Sequence, residues 1–210
     1  HQWSYRYSSW KDELPPTNLT VKGGPMQFDF ESGLTAPFVY QGGYPLIDEE
    51  TAASGKRSLK IFNPSVNATF AIDLVVPNLF PFNAGRYPVM EFDYKIPPHV
   101  QVDIGFSSNS IFHPVRLSDR DKNYIRRASI VDFKGDDQWR HAETNLKLML
   151  DAYPYHQNKY QVARIRFGDW GYRGNGPRVT YNLDNVQLIP ALSSEVGAEL
   201  ELAALDPSGI

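Results

Sequence analysis

Apolar and polar residues alternate with period two along much of the chain. Between residues 90 and 96, Met90, Phe92, Tyr94 and Ile96 share one face and Glu91, Asp93 and Lys95 the other. The stretches 70–76, 100–106 and 163–167 repeat the pattern, the last with Ala163, Ile165 and Phe167 interleaved by Arg164 and Arg166. Such alternation marks antiparallel strands with one buried face. Further strands are expected at 27–30, 38–41, 58–62, 112–117, 128–133, 141–148 and 179–189, bounded by Gly, Pro, Asn and Asp. Short strands separated by turn signals predict an all-β fold, a two-sheet antiparallel β-sandwich. A helix competes only at residues 143–152, where Leu146, Met149 and Leu150 are helix-spaced. A strand running into a loop is the expectation there. Charges at outward strand positions are expected to form solvated faces.

The last strand carries more information than its hydrophobicity. Val179, Tyr181 and Leu183 keep one phase, and Val186 and Leu188 keep the other. A slip of one residue within a strand calls for a bulge, which falls at Asp184-Asn185. The bulge either aims the Asp184 carboxylate out of the ladder or leaves it capping a neighbouring turn. Trp139 opens an alternating strand and is assigned to the core.

Composition narrows the class. The 210 residues include 12 Phe, 12 Tyr, 4 Trp, 15 Gly and 16 Pro, with no Cys and a formal charge of −3. The length can bury a full core. A near-neutral balance lacks the basic excess that nucleic acid requires, and no apolar run is long enough for a membrane span. Without cysteine there is no disulfide framework, thiolate metal site or cysteine nucleophile. Residues 1–20 read as a leading segment or linker, 21–191 as the sandwich domain and 192–210 as a second linker. The final residues, 205–210, resemble the start of a bacterial immunoglobulin-like repeat, which suggests a module of a longer protein with neighbouring domains.

Four segments, in order, carry a family resemblance. Phe28-Asp29-Phe30-Glu31-Ser32-Gly33 resembles the opening of many non-catalytic carbohydrate-binding modules. Residues 53–61, Ala-Ser-Gly-Lys-Arg-Ser-Leu-Lys-Ile, are similar to the second segment of such modules. Gln138-Trp139-Arg140-His141 is similar to the start of a late strand, and residues 180–188, Thr-Tyr-Asn-Leu-Asp-Asn-Val-Gln-Leu, resemble the terminal strand. The resemblance implies a galactose-binding-domain-like jelly roll in an extracellular or cell-surface protein. It also implies a structural Ca²⁺ on Glu31 and Asp184, with Asp29 as a further ligand and carbonyls near Lys56 contributing. Such a hard ion takes six to eight oxygens. Loops at 77–87 and 106–127 are additions to the usual module.

A polysaccharide or glycan ligand needs an aromatic platform and fixed polar partners. The loop at 168–176 offers Trp170 and Tyr172 as platform, with Asp169, Arg173 and Asn175 as hydrogen-bonding groups. Tyr153 and Tyr155 lie in a second polar-aromatic stretch, 153–160. In both cases a loop packed on its own domain is the competing reading. The five histidines show no metal-centre spacing, and neither a nucleophile elbow nor a phosphate loop is present. Copper ligation through His1 would require residue 1 to be a true N-terminus. A non-catalytic module therefore leads, followed by a structural or adhesion module, then by a lyase or hydrolase with an unrecognised site.

Overall fold

The computed structural model describes residues 26–33, 38–65, 70–75, 81–108, 111–116, 134–151, 160–169 and 175–191. The leading segment 1–20, the trailing segment 192–210 and the strand expected at 128–133 lie outside them.

Two antiparallel sheets face each other. The first joins β10 (Arg140–Asn145), β7 (Val89–Lys95), β12 (Thr180–Ile189), β4 (Ser58–Phe62) and β3 (Tyr44–Asp48), in that order, with β1 (Met26–Phe28) also paired to β12. The second joins β2 (Phe38–Gln41), β5 (Phe70–Leu74), β11 (Gln161–Asp169), β8 (Asp103–Ser108) and β9 (Ile111–Arg116), with β6 (Phe82–Asn83) on the start of β11. The sandwich expected from the alternation is the fold of this chain. Most strand pairs are non-consecutive, so the sheets close only when distant segments meet. The inward positions of both sheets form one core. Phe92 of the first sheet meets Phe167 of the second edge-to-face at 5.6 Å, and Phe70 meets Tyr181 at 5.1 Å. Tyr181 is fully buried and donates its hydroxyl to the Phe167 carbonyl (3.0 Å), which satisfies its polar end. Burial pushes the Tyr181 hydroxyl well above the ordinary tyrosine range.

The bulge expected in β12 is present, and other local expectations change. The slip in β12 is a bulge against β7 between Asp184 and Gln187, with Asn185 at φ +46°. A second irregularity, in β11 between Val162 and Arg164, brings Val162 and Ile165 both inward. Ala163 therefore leaves the inward phase that simple alternation gave it. Residues 141–148 do not continue as a strand: β10 ends at Asn145 and a short helix, α1 (Leu146–Asp151), follows, burying Leu146 and Leu150. The helical spacing, not the strand pattern, governs there. Residues 100–102 precede β8 rather than belonging to it.

Candidate functional site

Strand alternation aims two sets of residues at the outward face of the second sheet, and they are not solvated as expected. On β5, Ile72 and Leu74 enter the core, so Asp73 points outward, yet it is only 1% exposed. Its cross-strand partner is Arg166 on β11. The Arg166 Nη2 donates to Asp73 Oδ2 (2.8 Å), and its Nε donates to Oδ1. Arg164 adds a third bond to Oδ2 (3.1 Å). A fork–fork guanidinium contact fixes both partners in one plane, and a carboxylate this buried requires such pairing. Asp103 and Ser107 on β8 share this outward face and are also buried, with Gly105 opposite Arg166 and Gly168 opposite Asp103. Asp73, Asp103, Arg164 and Arg166 do not stand out in the sequence, because alternating charges ordinarily mean a solvated face. The available signal was an Asp and two Arg at outward positions of central strands.

β11 runs from this face directly to the base of the aromatic loop. It ends at Asp169, which is 1% exposed, and Asn175, 6% exposed, lies on the far side of the loop. Asn175 Nδ2 donates to Asp169 Oδ2 (2.9 Å) and to the Gln101 carbonyl (2.9 Å), while Gln101 N donates to Asn175 Oδ1 (2.9 Å). Asn63 extends the network: its Nδ2 donates to the Gly176 carbonyl (2.8 Å), and its backbone bonds Val179 and Arg178. The loop is thus stapled across its base and tied to the 97–101 turn. Of the proposed ligand residues, Asp169 and Asn175 meet each other. Trp170, Tyr172, Arg173, Tyr153 and Tyr155 lie outside the described residues.

Two carboxylates of the calcium set, Glu31 and Asp184, bind the 53–57 loop, and Asp29 does not. Glu31 Oε1 accepts the N–H groups of Lys56 (2.8 Å) and Arg57 (3.0 Å). These bonds, the Lys56 one foremost, hold the Glu31 carboxyl below its ordinary range. Asp184, turned aside by the bulge and fully buried, accepts Ala53 N (2.9 Å) and Ser54 N (3.3 Å) on Oδ2 and its neighbour Asn185 N (2.8 Å) on Oδ1. Burial pushes its carboxyl up. Asp29 is exposed and accepts the Glu31 N–H (3.2 Å). Gly55 sits between the clamps at φ +66°, where a β-carbon would collide with the Glu31 carboxylate. First strand, last strand and loop are therefore tied by hydrogen bonds. The carboxylates suit Ca²⁺ in kind, but Asp184 Oδ2 faces two N–H donors that a cation would have to displace. Among the described residues, no three His, Cys, Asp or Glu side chains are grouped to hold a metal.

Trp139 is half-buried rather than a core residue, and its Nε1 donates to Thr51 Oγ1 (2.8 Å) of the same loop. It precedes β10, so the strand's inward phase does not include it. On the outward face of the first sheet, Ser54 Oγ donates to Asn185 Oδ1 (3.0 Å), Asn185 Nδ2 to Asp93 Oδ2 (2.6 Å), and His141 Nδ1 lies 2.9 Å from Asp93 Oδ1. The Ser54 hydroxyl bonds an amide oxygen and not a base, so this chain of contacts does not form an activated nucleophile.

No family model and no curated protein matches the sequence. Among solved structures, the chain is similar to a family-22 carbohydrate-binding module from Paenibacillus barcinonensis described as a xylan-binding domain (14% identity, TM-score 0.43, covering 81% of this chain and 97% of that one). It is also similar to a family-11 module from Clostridium thermocellum in complex with a β-1,3-1,4-mixed-linked tetrasaccharide (12% identity, TM-score 0.47, covering 81% and 98%). A third is an exo-β-agarase (14% identity, TM-score 0.48, covering 79% of this chain and 24% of that one). Several of the similar structures are carbohydrate-binding β-sandwich modules. At such identities and TM-scores the likenesses carry neither a family assignment nor a ligand. Among the described residues, no helix is long and apolar enough to cross a membrane.

Proposed function

We propose that the chain is a non-catalytic carbohydrate-binding module of a larger secreted or cell-surface protein. It takes a polysaccharide through Trp170 and Tyr172, together with Arg173, Tyr153, Tyr155 and the outward face of the second sheet. The observation that carries this is the continuity of β11. Arg164 and Arg166, locked on Asp73, lie along one strand that ends at the stapled base of the aromatic loop. Planar polar groups held rigid on a strand that leads into an aromatic-rich loop suit a ligand with apolar ring faces and a rim of hydroxyls. Within this reading Asp169 and Asn175 hold the base of the loop through the bond between them and the Asn175 contacts with Gln101. Calcium on Glu31, Asp184 and Asp29 belongs to the same proposal and asks the 53–57 loop to turn carbonyls inward.

Affinity electrophoresis over a polysaccharide panel, including xylan and mixed-linkage β-glucan, tests the function. The expected result is retardation by at least one polymer, lost in Trp170→Ala. No retardation on any polymer refutes the binding role, and retardation unchanged by Trp170→Ala refutes the loop assignment. For the ion, the expected result is a melting temperature that rises with added Ca²⁺ and falls with EDTA. An unmoved melting temperature rejects the site.

A further inference from the structure

The outward face of the first sheet carries a feature that the loop reading does not use. Register places Tyr44, Phe62 and Thr180 in one row across β3, β4 and β12, and Leu46, Lys60 and Asn182 in the next. Leu59 and Ile61 of β4 enter the core, so both rows face outward. Tyr44 and Leu46, 51% and 48% exposed, are the large hydrophobic residues left exposed among those described. Half-buried Phe62 stands directly opposite Tyr44. Beside this apolar row the polar one is held in place. Lys60 Nζ pairs with Asp48 Oδ2 (3.1 Å), and Asn182 Nδ2 donates to Asp48 Oδ2 (2.9 Å) and Ser58 Oγ (3.2 Å).

We infer that Tyr44 and Phe62, with Leu46 at their side, form a second polysaccharide contact on this sheet, separate from the loop. The inference rests on the carbohydrate-binding reading above. Adjacent aromatic residues on a pleated surface offer a flat apolar patch about the size of a pyranose ring, and Lys60 in the next row, held by Asp48, lies where ring hydroxyls would fall. A protein partner fits less well. Pro45 removes a backbone donor from β3, which blunts strand addition along that edge. A strip with two exposed apolar side chains also falls far short of the roughly 800 Å² per partner of a stable protein interface. A long glycan engaged at the loop gains from a second, weaker contact through effective concentration, whereas a short oligosaccharide cannot.

The test compares wild type, Tyr44→Ala and Tyr44→Phe on a polysaccharide that the wild type binds and on a short oligosaccharide cut from it. Tyr44→Ala should weaken polymer binding about threefold to tenfold and leave the oligosaccharide unaffected, with Tyr44→Phe close to wild type. Trp170→Ala should lose both ligands. Polymer binding unchanged in Tyr44→Ala overturns this second contact while leaving the loop reading intact. An equal loss on both ligands also overturns it. Wild type that binds no polymer retires both readings. Self-association in sedimentation that Tyr44→Ala abolishes assigns the patch to a second copy and overturns the glycan contact.

Discussion

Replacing Asn175 by aspartate exchanges a hydrogen-bond donor for an acceptor inside a buried pair, and its effect can be worked from the geometry. In the native chain Nδ2 lies 2.9 Å from Asp169 Oδ2. An ionised carboxylate in its place would set two like charges at that distance, worth about 6 kcal/mol at an effective dielectric of about 20. Keeping one carboxyl protonated at pH 7 is the cheaper course, costing about 4 kcal/mol from an ordinary aspartate value near 3.9. The deficit of Asn175→Asp at neutral pH should therefore be roughly 3–4 kcal/mol, or about 6–16 °C in melting temperature for a chain this long. A protonated carboxyl at position 175 can donate to Asp169 as the amide did. The variant's carboxyl pair then has a folded-state pKa above its unfolded value. Its stability is intact below the unfolded value and is lost as pH rises through the folded one. Urea melts of wild type, Asn175→Asp and the uncharged control Asn175→Ser between pH 4 and 7 would measure this. The gap for Asn175→Asp should nearly close toward pH 4, and at pH 7 it should exceed that for Asn175→Ser, which removes the donor without adding a charge. A deficit independent of pH, or one below about 1 kcal/mol at pH 7, would refute the buried Asp169–Asn175 contact.

Gly55→Ala should cost about 1–2 kcal/mol, because φ is +66° and the added methyl strikes the Glu31 carboxylate. Gly176→Ala, with nothing within 4 Å of a β-carbon, is the control, and equal urea midpoints for the two variants would contradict the clamp. Glu31 and Asp184 should answer acid in opposite directions. The Glu31 carboxyl is held down, so its stabilisation is present above the ordinary glutamate value of 4.5 and is lost as pH falls through the folded pKa. The melting gap between wild type and Glu31→Gln should shrink in acid, and a constant gap would show that the Lys56 and Arg57 bonds are not made. For Asp184, pushed up by burial, the stability of wild type relative to Asp184→Asn should fall as pH rises through the folded pKa. A slope of the other sign counts against its burial.

Strands were legible where one face alone is apolar. β7, expected over 90–96, runs from 89 to 95, while β2 and β4 match their expected bounds. β3 was missed because Pro45 and apolar residues on both faces hide its period, as expected of an edge strand whose outward face carries Tyr44 and Leu46. The β12 bulge was legible because a slip of one residue exchanges the two faces of a strand. The buried Asp73–Arg166 pair was not, because alternation assigns a side chain to a face without saying whether that face meets water. Trp139 failed for a related reason: a residue just before a strand need not share its phase. At the base of the 168–176 loop, Asp169 and Asn175 lie in one stretch that the sequence marks, but their ties to Gln101 and Asn63 are too distant along the chain to leave a local trace.

That network also bears on how the protein ages. Asn175 precedes Gly176, a dipeptide in which the glycine nitrogen can attack the side-chain amide carbon, expel ammonia and leave a succinimide that water opens to aspartate or isoaspartate. Ring closure requires the Asn175 amide to swing toward its own backbone. Its oxygen and nitrogen are instead held by Gln101 and Asp169. Conversion must therefore wait for this end of the sandwich to open, so the chemical half-life of the amide records local unfolding. Each conversion to aspartate also introduces the charge analysed in Asn175→Asp, so one opening event makes the next easier.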